Sequence, residues 1–188
     1  MSAATIDQRK KIHPHKFTMW IAIASIVMMF AGLTSAYIIK RSQANWVTFD
    51  LPKAFIYSTV VIVASSITLF LAKNAFTKRN TQQYKSLVAV TFALGLLFVA
   101  LQYIGFQDLW KNGMTLTGNV SFSFLYVIVG LHGLHVLGGI VALLILFLKS
   151  FSTKVKSYNV VPVEVMSTYW HFVDFLWLYL FIFLIMIK

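Results

Sequence analysis

Cysteine is absent from this 188-residue chain, which rules out disulfides and thiolate-bound metal. Charge is scarce too: Asp, Glu, Lys and Arg make up 11% of the residues, only five of them acidic, against 59% hydrophobic residues. A soluble domain of this size cannot hide that much apolar surface, so an ordinary globular class is excluded. Proline occurs three times, as Pro14, Pro52 and Pro162, each at or before an expected helix start, where its fixed φ does no harm. No low-complexity tract or strong internal repeat divides the chain. Residues 1–188 are read as a single transmembrane domain.

Long apolar sequence is what the chain has in quantity. Runs of about 20 residues without Asp, Glu, Lys or Arg suffice to cross a hydrocarbon layer. They fall at about 17–39, 54–72, 86–106, 121–148 and 167–187, with Asp174 the sole charged exception. The expected fold class is all-α, a polytopic membrane protein built as an antiparallel bundle of five transmembrane helices. Loops of about 12 to 18 residues predict that consecutive helices are neighbours in that bundle. The first run follows Arg9, Lys10, Lys11 and Lys16, but it is too long for a signal h-region and no A-x-A-like site follows, so it is kept as a mature helix.

Short cytoplasmic loops are enriched in Lys and Arg, and this sets orientation. Arg9, Lys10, Lys11, Lys16, Lys73, Lys78, Arg79, Lys85, Lys149, Lys154 and Lys156 fall on one side; Lys40, Arg41, Lys53, Lys111 and Lys188 fall on the other. The N-terminus is therefore expected inside and the C-terminus outside, with most of the net charge of +11 facing anionic headgroups. The same residues are scattered over helix ends rather than gathered in one stripe, which argues against a nucleic-acid partner.

Polar residues within the runs are where function can reside. His132 and His135 lie three apart in Gly130-Leu131-His132-Gly133-Leu134-His135-Val136-Leu137-Gly138-Gly139, on nearly one helix face. The four glycines are expected to let another backbone approach closely. Neutral imidazole ligates metals and haem, which keeps a small b-type haem protein open as a different class. The alternative is that each ring hydrogen-bonds to a neighbouring helix. An isolated pair without a carboxylate or thiolate at similar depth makes a weak metal site, so packing is the preferred reading. His171 and Asp174 are also three apart, in Tyr169-Trp170-His171-Phe172-Val173-Asp174, and are expected about one turn inside the fifth helix and in mutual contact. Asp174 is thus expected to be held by His171 and an adjacent helix. A proton relay needs further stations that the other spans do not supply. Ser58, Thr59, Ser65, Ser66 and Thr68 are read as interhelical hydrogen-bonding residues, and the five tryptophans as mostly an interfacial belt.

The two histidine motifs in this order resemble subunit III of the haem-copper terminal oxidases, the cytochrome c and quinol oxidase family. The similarity runs through Met19-Trp20, Phe30-Ala31-Gly32, Ala36-Tyr37, Ala64-Ser65-Ser66-Ile67-Thr68 and Gln102, and Glu164 matches an acid the family places ahead of its last helix. The five spans look like the third to seventh of the seven-helix forms, as in shorter bacterial members. The family's lipid-filled cleft, walled by the first two helices, is then incomplete within this chain. Ile26 and Gly105 stand where the family often carries acids, which takes away the proton-handling role attached to the first of them.

The resemblance implies an accessory, non-redox subunit III of a bacterial proton-pumping cytochrome c oxidase, stabilising the catalytic subunit while the complex reduces dioxygen to water. A quinol oxidase or a nitric-oxide-reductase-associated homologue is the alternative within the family. It further implies that haem and copper sit in partner subunits and none is bound here, that subunit I is the main contact with subunit II alongside, within a respiratory supercomplex in some settings, and that phospholipid binds. No residue is assigned a catalytic, cofactor-binding or metal-binding role. His132, His135, His171, Asp174 and Glu164 are carried over as structural, inter-helix polar residues, and the expected location is the bacterial cytoplasmic membrane.

Overall fold

The computed structural model describes residues 14–43, 46–48, 51–151 and 160–187. Arg9, Lys10, Lys11, Lys154, Lys156 and Lys188, used above to orient the chain, lie outside the described residues. Five helices follow one another: α1 (Pro14–Arg41), α2 (Lys53–Thr77), α3 (Thr81–Lys111), α4 (Val120–Phe151) and α5 (Val161–Met186), with no strand among the described residues. All five are long and apolar enough to cross a membrane. The shortest, α2 at 25 residues, is roughly 38 Å long at about 1.5 Å per residue.

Most helices overrun their apolar runs, because backbone hydrogen bonding continues into the polar headgroup zone, beyond the hydrocarbon. α5 begins six residues earlier than the expected position 167. Pro162 occupies its first turn, where no backbone N–H is needed, and the acid Glu164 sits by the positive end of the helix dipole. The connections shorten accordingly, against the 12 to 18 residues expected. Only Lys78, Arg79 and Asn80 join α2 to α3. Arg79 takes a positive φ of 58° to make that reversal, and the Asn80 side chain caps α3 by accepting from the Gln83 amide at 3.2 Å.

Four helices close a ring, α2 on α3, α3 on α4, α4 on α5 and α5 on α2, with α2–α3 the most extensive pairing. α1 lies outside the ring against α4 and α5 and makes no close contact with α2 among the described residues. The expectation that all consecutive helices are neighbours therefore fails at the first pair. Residues 42–52 are long enough to carry the chain past α5, at about 3.3 Å per extended residue. Tyr37, fully buried, marks that crossing by meeting Trp46 of the connection at 4.8 Å and Phe183 of α5 at 5.4 Å between ring centroids.

α5 is the hub of the bundle, with 11 buried residues along its length. Trp170 and Trp177, expected at an interface, are instead among its most buried side chains at 1% and 0% exposure. Trp20 and Trp110, by contrast, are more than 60% exposed and suit a headgroup position. Trp170 is wedged between two glycines. A Cβ on Gly139 of α4 would lie 2.9 Å from its ring, and one on Gly95 of α3 would lie 3.0 Å away. A Cβ on Gly130 or Gly133 would meet nothing within 4 Å, so close approach is confined to the Gly138-Gly139 end of the motif.

Candidate functional site

The polar groups of the core follow one helix. Each of the five α2 hydroxyls singled out in the sequence binds across to α3 or α5. Ser58 Oγ accepts from Gln102 Nε2 at 3.0 Å, Thr59 Oγ1 from Trp177 Nε1 at 2.9 Å, and Ser65 Oγ from Trp170 Nε1 at 2.9 Å. Ser66 Oγ lies 2.5 Å from His171 Nδ1, and Thr68 Oγ1 lies 2.8 Å from Thr91 Oγ1. In hydrocarbon these groups find no water, so each bond satisfies atoms that would otherwise carry a desolvation cost. The interhelical reading of the α2 hydroxyls is borne out.

The histidines behave individually. His132 is 1% exposed and neither ring nitrogen has a hydrogen-bond partner among the described residues. Its surroundings are aromatic: Trp177 at 5.1 Å, Phe98 at 6.1 Å and Phe30 at 6.5 Å between ring centroids. His135 places Nδ1 2.7 Å from the Leu131 carbonyl of its own helix, and its ring lies 5.8 Å from Phe30. The link from His135 to another helix is made by its backbone carbonyl, which accepts from Tyr169 Oη at 2.9 Å. Of the three rings, His171 alone bonds to a neighbouring helix among the described residues, so the expectation of one such bond per ring is corrected for His132 and His135. Phe30 of α1 packs on both α4 rings, which fills with hydrocarbon the face they share. Among the described residues no group of three or more His, Asp or Glu side chains could hold a metal ion.

Asp174 stands in the 14th position of α5, near its middle rather than one turn inside. The charge-free-run rule misplaced it because it began the span after Glu164. The carboxylate is 4% exposed and neither oxygen completes a hydrogen bond, so the expected His171–Asp174 contact is absent as a hydrogen bond. His171 turns instead to Ser66 of α2. Glu164 lies two to three turns earlier, at the α5 start, where Oε2 pairs with Lys16 Nζ of α1 at 2.5 Å. These five residues thus form no single cluster: His132 and Asp174 sit in the core, and Glu164 ties α5 to α1 at one end. Sequence reasoning missed Tyr169, Thr91 and Lys16 as partners, and of these only Thr91, a hydroxyl inside an apolar run, gave a usable signal.

The chain as a whole is similar to known proteins. A family model described as cytochrome c oxidase subunit III matches residues 10–187. The chain belongs to the cytochrome c oxidase subunit III family. Its relatives include the probable cytochrome c oxidase subunit 3 of Nocardia farcinica, 33% identical over 166 residues, covering 86% of this chain and 82% of that protein. The probable subunit 3 of Mycobacterium tuberculosis is 33% identical over 165 residues, covering 85% and 81%. Subunit 3 of Bacillus sp. strain PS3 is 26% identical over 183 residues, covering 95% and 86%. These relatives carry the cytochrome c oxidase name, and they do not favour the quinol oxidase or nitric-oxide-reductase alternatives. Family membership and the five spans together make this a multi-pass membrane protein of a respiratory oxidase family.

Gly105 is buried, and a Cβ there would fall 2.5 Å from Cε1 of Phe55, so the α2 ring fills the space a side chain at 105 would need. Ile26 is 9% exposed and packs with the apolar core.

Proposed function

We propose that this chain is the accessory, non-redox subunit of a bacterial proton-pumping cytochrome c oxidase, holding the haem- and copper-bearing catalytic subunit in its working shape. The observation that carries the reading is the aromatic filling around the α4 histidines. Phe30, 1% exposed, packs against both rings, and His135 commits Nδ1 to its own helix. That geometry suits side chains used to pack a bundle. It does not suit two imidazoles converging on a haem iron, which bind it from opposite faces of the macrocycle.

In this reading subunit I is the main partner and subunit II lies alongside, with larger respiratory assemblies around them. Haem and copper reside in those partners, the chain sits in the cytoplasmic membrane with its N-terminus inside, and phospholipid covers its exposed apolar faces. α1 provides much of that exposed surface, with Trp20, Ile21, Met28 and Ile39 each more than half exposed. Outward apolar side chains of this kind are solvated by acyl chains or by another subunit. Solubilisation in mild detergent with an affinity tag on this chain tests the assignment. Polypeptides carrying haem and copper are expected to co-purify, and membranes lacking this chain are expected to yield a catalytic subunit that loses activity faster on warming. Recovery of the chain alone, with an oxidase of unchanged durability in its absence, would overturn the proposal.

A further inference from the structure

We infer that a recess at the C-terminal end of α3, facing α4, binds the headgroup of a zwitterionic phospholipid, with the ammonium against aromatic faces and the phosphate at Lys111. The recess holds about 420 Å³ and is lined by Tyr103, Phe106, Gln107, Trp110 and Lys111 of α3 and by Tyr126 of α4. Aromatic side chains dominate that lining, and the π face of such a ring attracts an ammonium group. The α3 residues lie in the last turns of a membrane-spanning helix, the depth at which lipid headgroups meet the protein.

An interfacial belt asks only that rings lie at headgroup depth. Here the rings are held in place around a hollow. Phe106 and Tyr126 stack with centroids 5.1 Å apart and planes at 23°, joining α3 to α4, and Phe55 of α2 backs Phe106 at 6.0 Å. Tyr126 Oη donates to the Met114 carbonyl at 2.9 Å, and Gln107 Nε2 donates to Tyr103 Oη at 2.9 Å, so both tyrosine rings are anchored through their hydroxyls. Tyr103 and Trp110 are 63% and 62% exposed and keep ring surface to offer a ligand.

Charge selects among headgroups. The C-terminal end of α3 carries the negative end of the helix dipole, which favours a cation beside it. Among the described residues Lys111 is the one charged side chain lining the recess; Asp108 and Lys53 line the neighbouring groove between α2 and α3, which Lys111 also borders. Lys111 would oppose a simple cation, and an anionic headgroup would engage Lys111 and leave the rings unused. A zwitterion uses both, because its phosphate and ammonium are adjacent along one headgroup. The inference rests on the membrane setting proposed above and goes beyond lipid that merely covers apolar faces.

The test equilibrates the detergent-purified protein, with whatever subunits accompany it, with equimolar phosphatidylethanolamine and phosphatidylglycerol of identical acyl chains, and measures retained lipid by mass spectrometry after washing. The Tyr103→Leu/Trp110→Leu variant keeps the recess apolar but removes two π faces, and both positions are exposed enough for the bundle to fold without them. It is expected to bind phosphatidylethanolamine at least about threefold more weakly than the parent, the loss of one exposed cation–π contact, with phosphatidylglycerol retention unchanged. Lys111→Gln is expected to weaken phosphatidylethanolamine binding as well. Equal phosphatidylethanolamine retention by parent and leucine variant would overturn the inference. So would an equal fall in both lipids, which would mark a non-selective apolar surface, or a Lys111→Gln variant that loses phosphatidylglycerol alone. Co-purification of haem- and copper-bearing polypeptides is read separately, so failure here leaves the subunit assignment standing.

Discussion

Gly105 and Phe55 show how one residue decides what its neighbour can be. An acid at 105 would project from a Cβ with 2.5 Å to the nearest Phe55 carbon, and it would place a charge in a buried site. Introducing an acid by Gly105→Glu is therefore expected to lower stability by more than the roughly 1–3 kcal/mol of simple overpacking, and Phe55→Ala in the same chain to recover part of the loss. Thermal unfolding in detergent measures both; a Gly105→Glu chain as stable as the parent would contradict the packing argument. At this scale the sequence was legible wherever a polar atom must find a partner in hydrocarbon. Ser58, Thr59, Ser65, Ser66 and Thr68 could be named as joints because a hydroxyl that gives its proton to a carbonyl of its own helix, as Ser58, Thr59, Ser65 and Thr68 do, still has lone pairs to offer a neighbouring helix. Their partners were harder to name, since the Trp170 and Trp177 indoles suit a headgroup belt equally well until the register of α5 is known.

Among the elements, α5 is the one on which the bundle turns. Its partners are chosen by size on one side and by hydroxyls on the other: Gly95 and Gly139 admit the Trp170 ring, while Ser65 accepts its N–H. Gly139→Val is expected to push α4 from α5 and cost about 1–3 kcal/mol. Gly138→Ala, whose new Cβ meets only the Tyr169 hydroxyl at 3.8 Å, is expected to be neutral. Equal effects in a denaturation series would show that the Trp170 wedge does not set the spacing. The number and order of helices could be read from charge-free runs because hydrocarbon thickness imposes a minimum apolar length. Helix ends could not, since a helix continues once it reaches water, and this is why Asp174 and Trp170 lie deeper in α5 than the run 167–187 implied. Close approach was also illegible at Gly130 and Gly133, because glycine permits a neighbouring backbone without supplying one.

For the whole molecule, orientation rests on the distribution of Lys and Arg, and the absence of cysteine makes it directly measurable. Single Gln82→Cys and Thr117→Cys variants, both at exposed positions near opposite ends of α3 and α4, are expected to react with a membrane-impermeant maleimide from opposite faces. Gln82→Cys is expected to label in inverted vesicles and Thr117→Cys in intact cells, and the reverse pattern would invert the topology. The path of α1 past α5 was not legible, because short loops favour adjacent helices without compelling adjacency. The packing role proposed for His132 and His135 rests on the aromatic rings around them. The most direct test of that role is the visible absorption spectrum of this polypeptide isolated from its partners. No stoichiometric haem Soret band is expected, and a one-to-one band that disappears in His132→Ala would contradict the account.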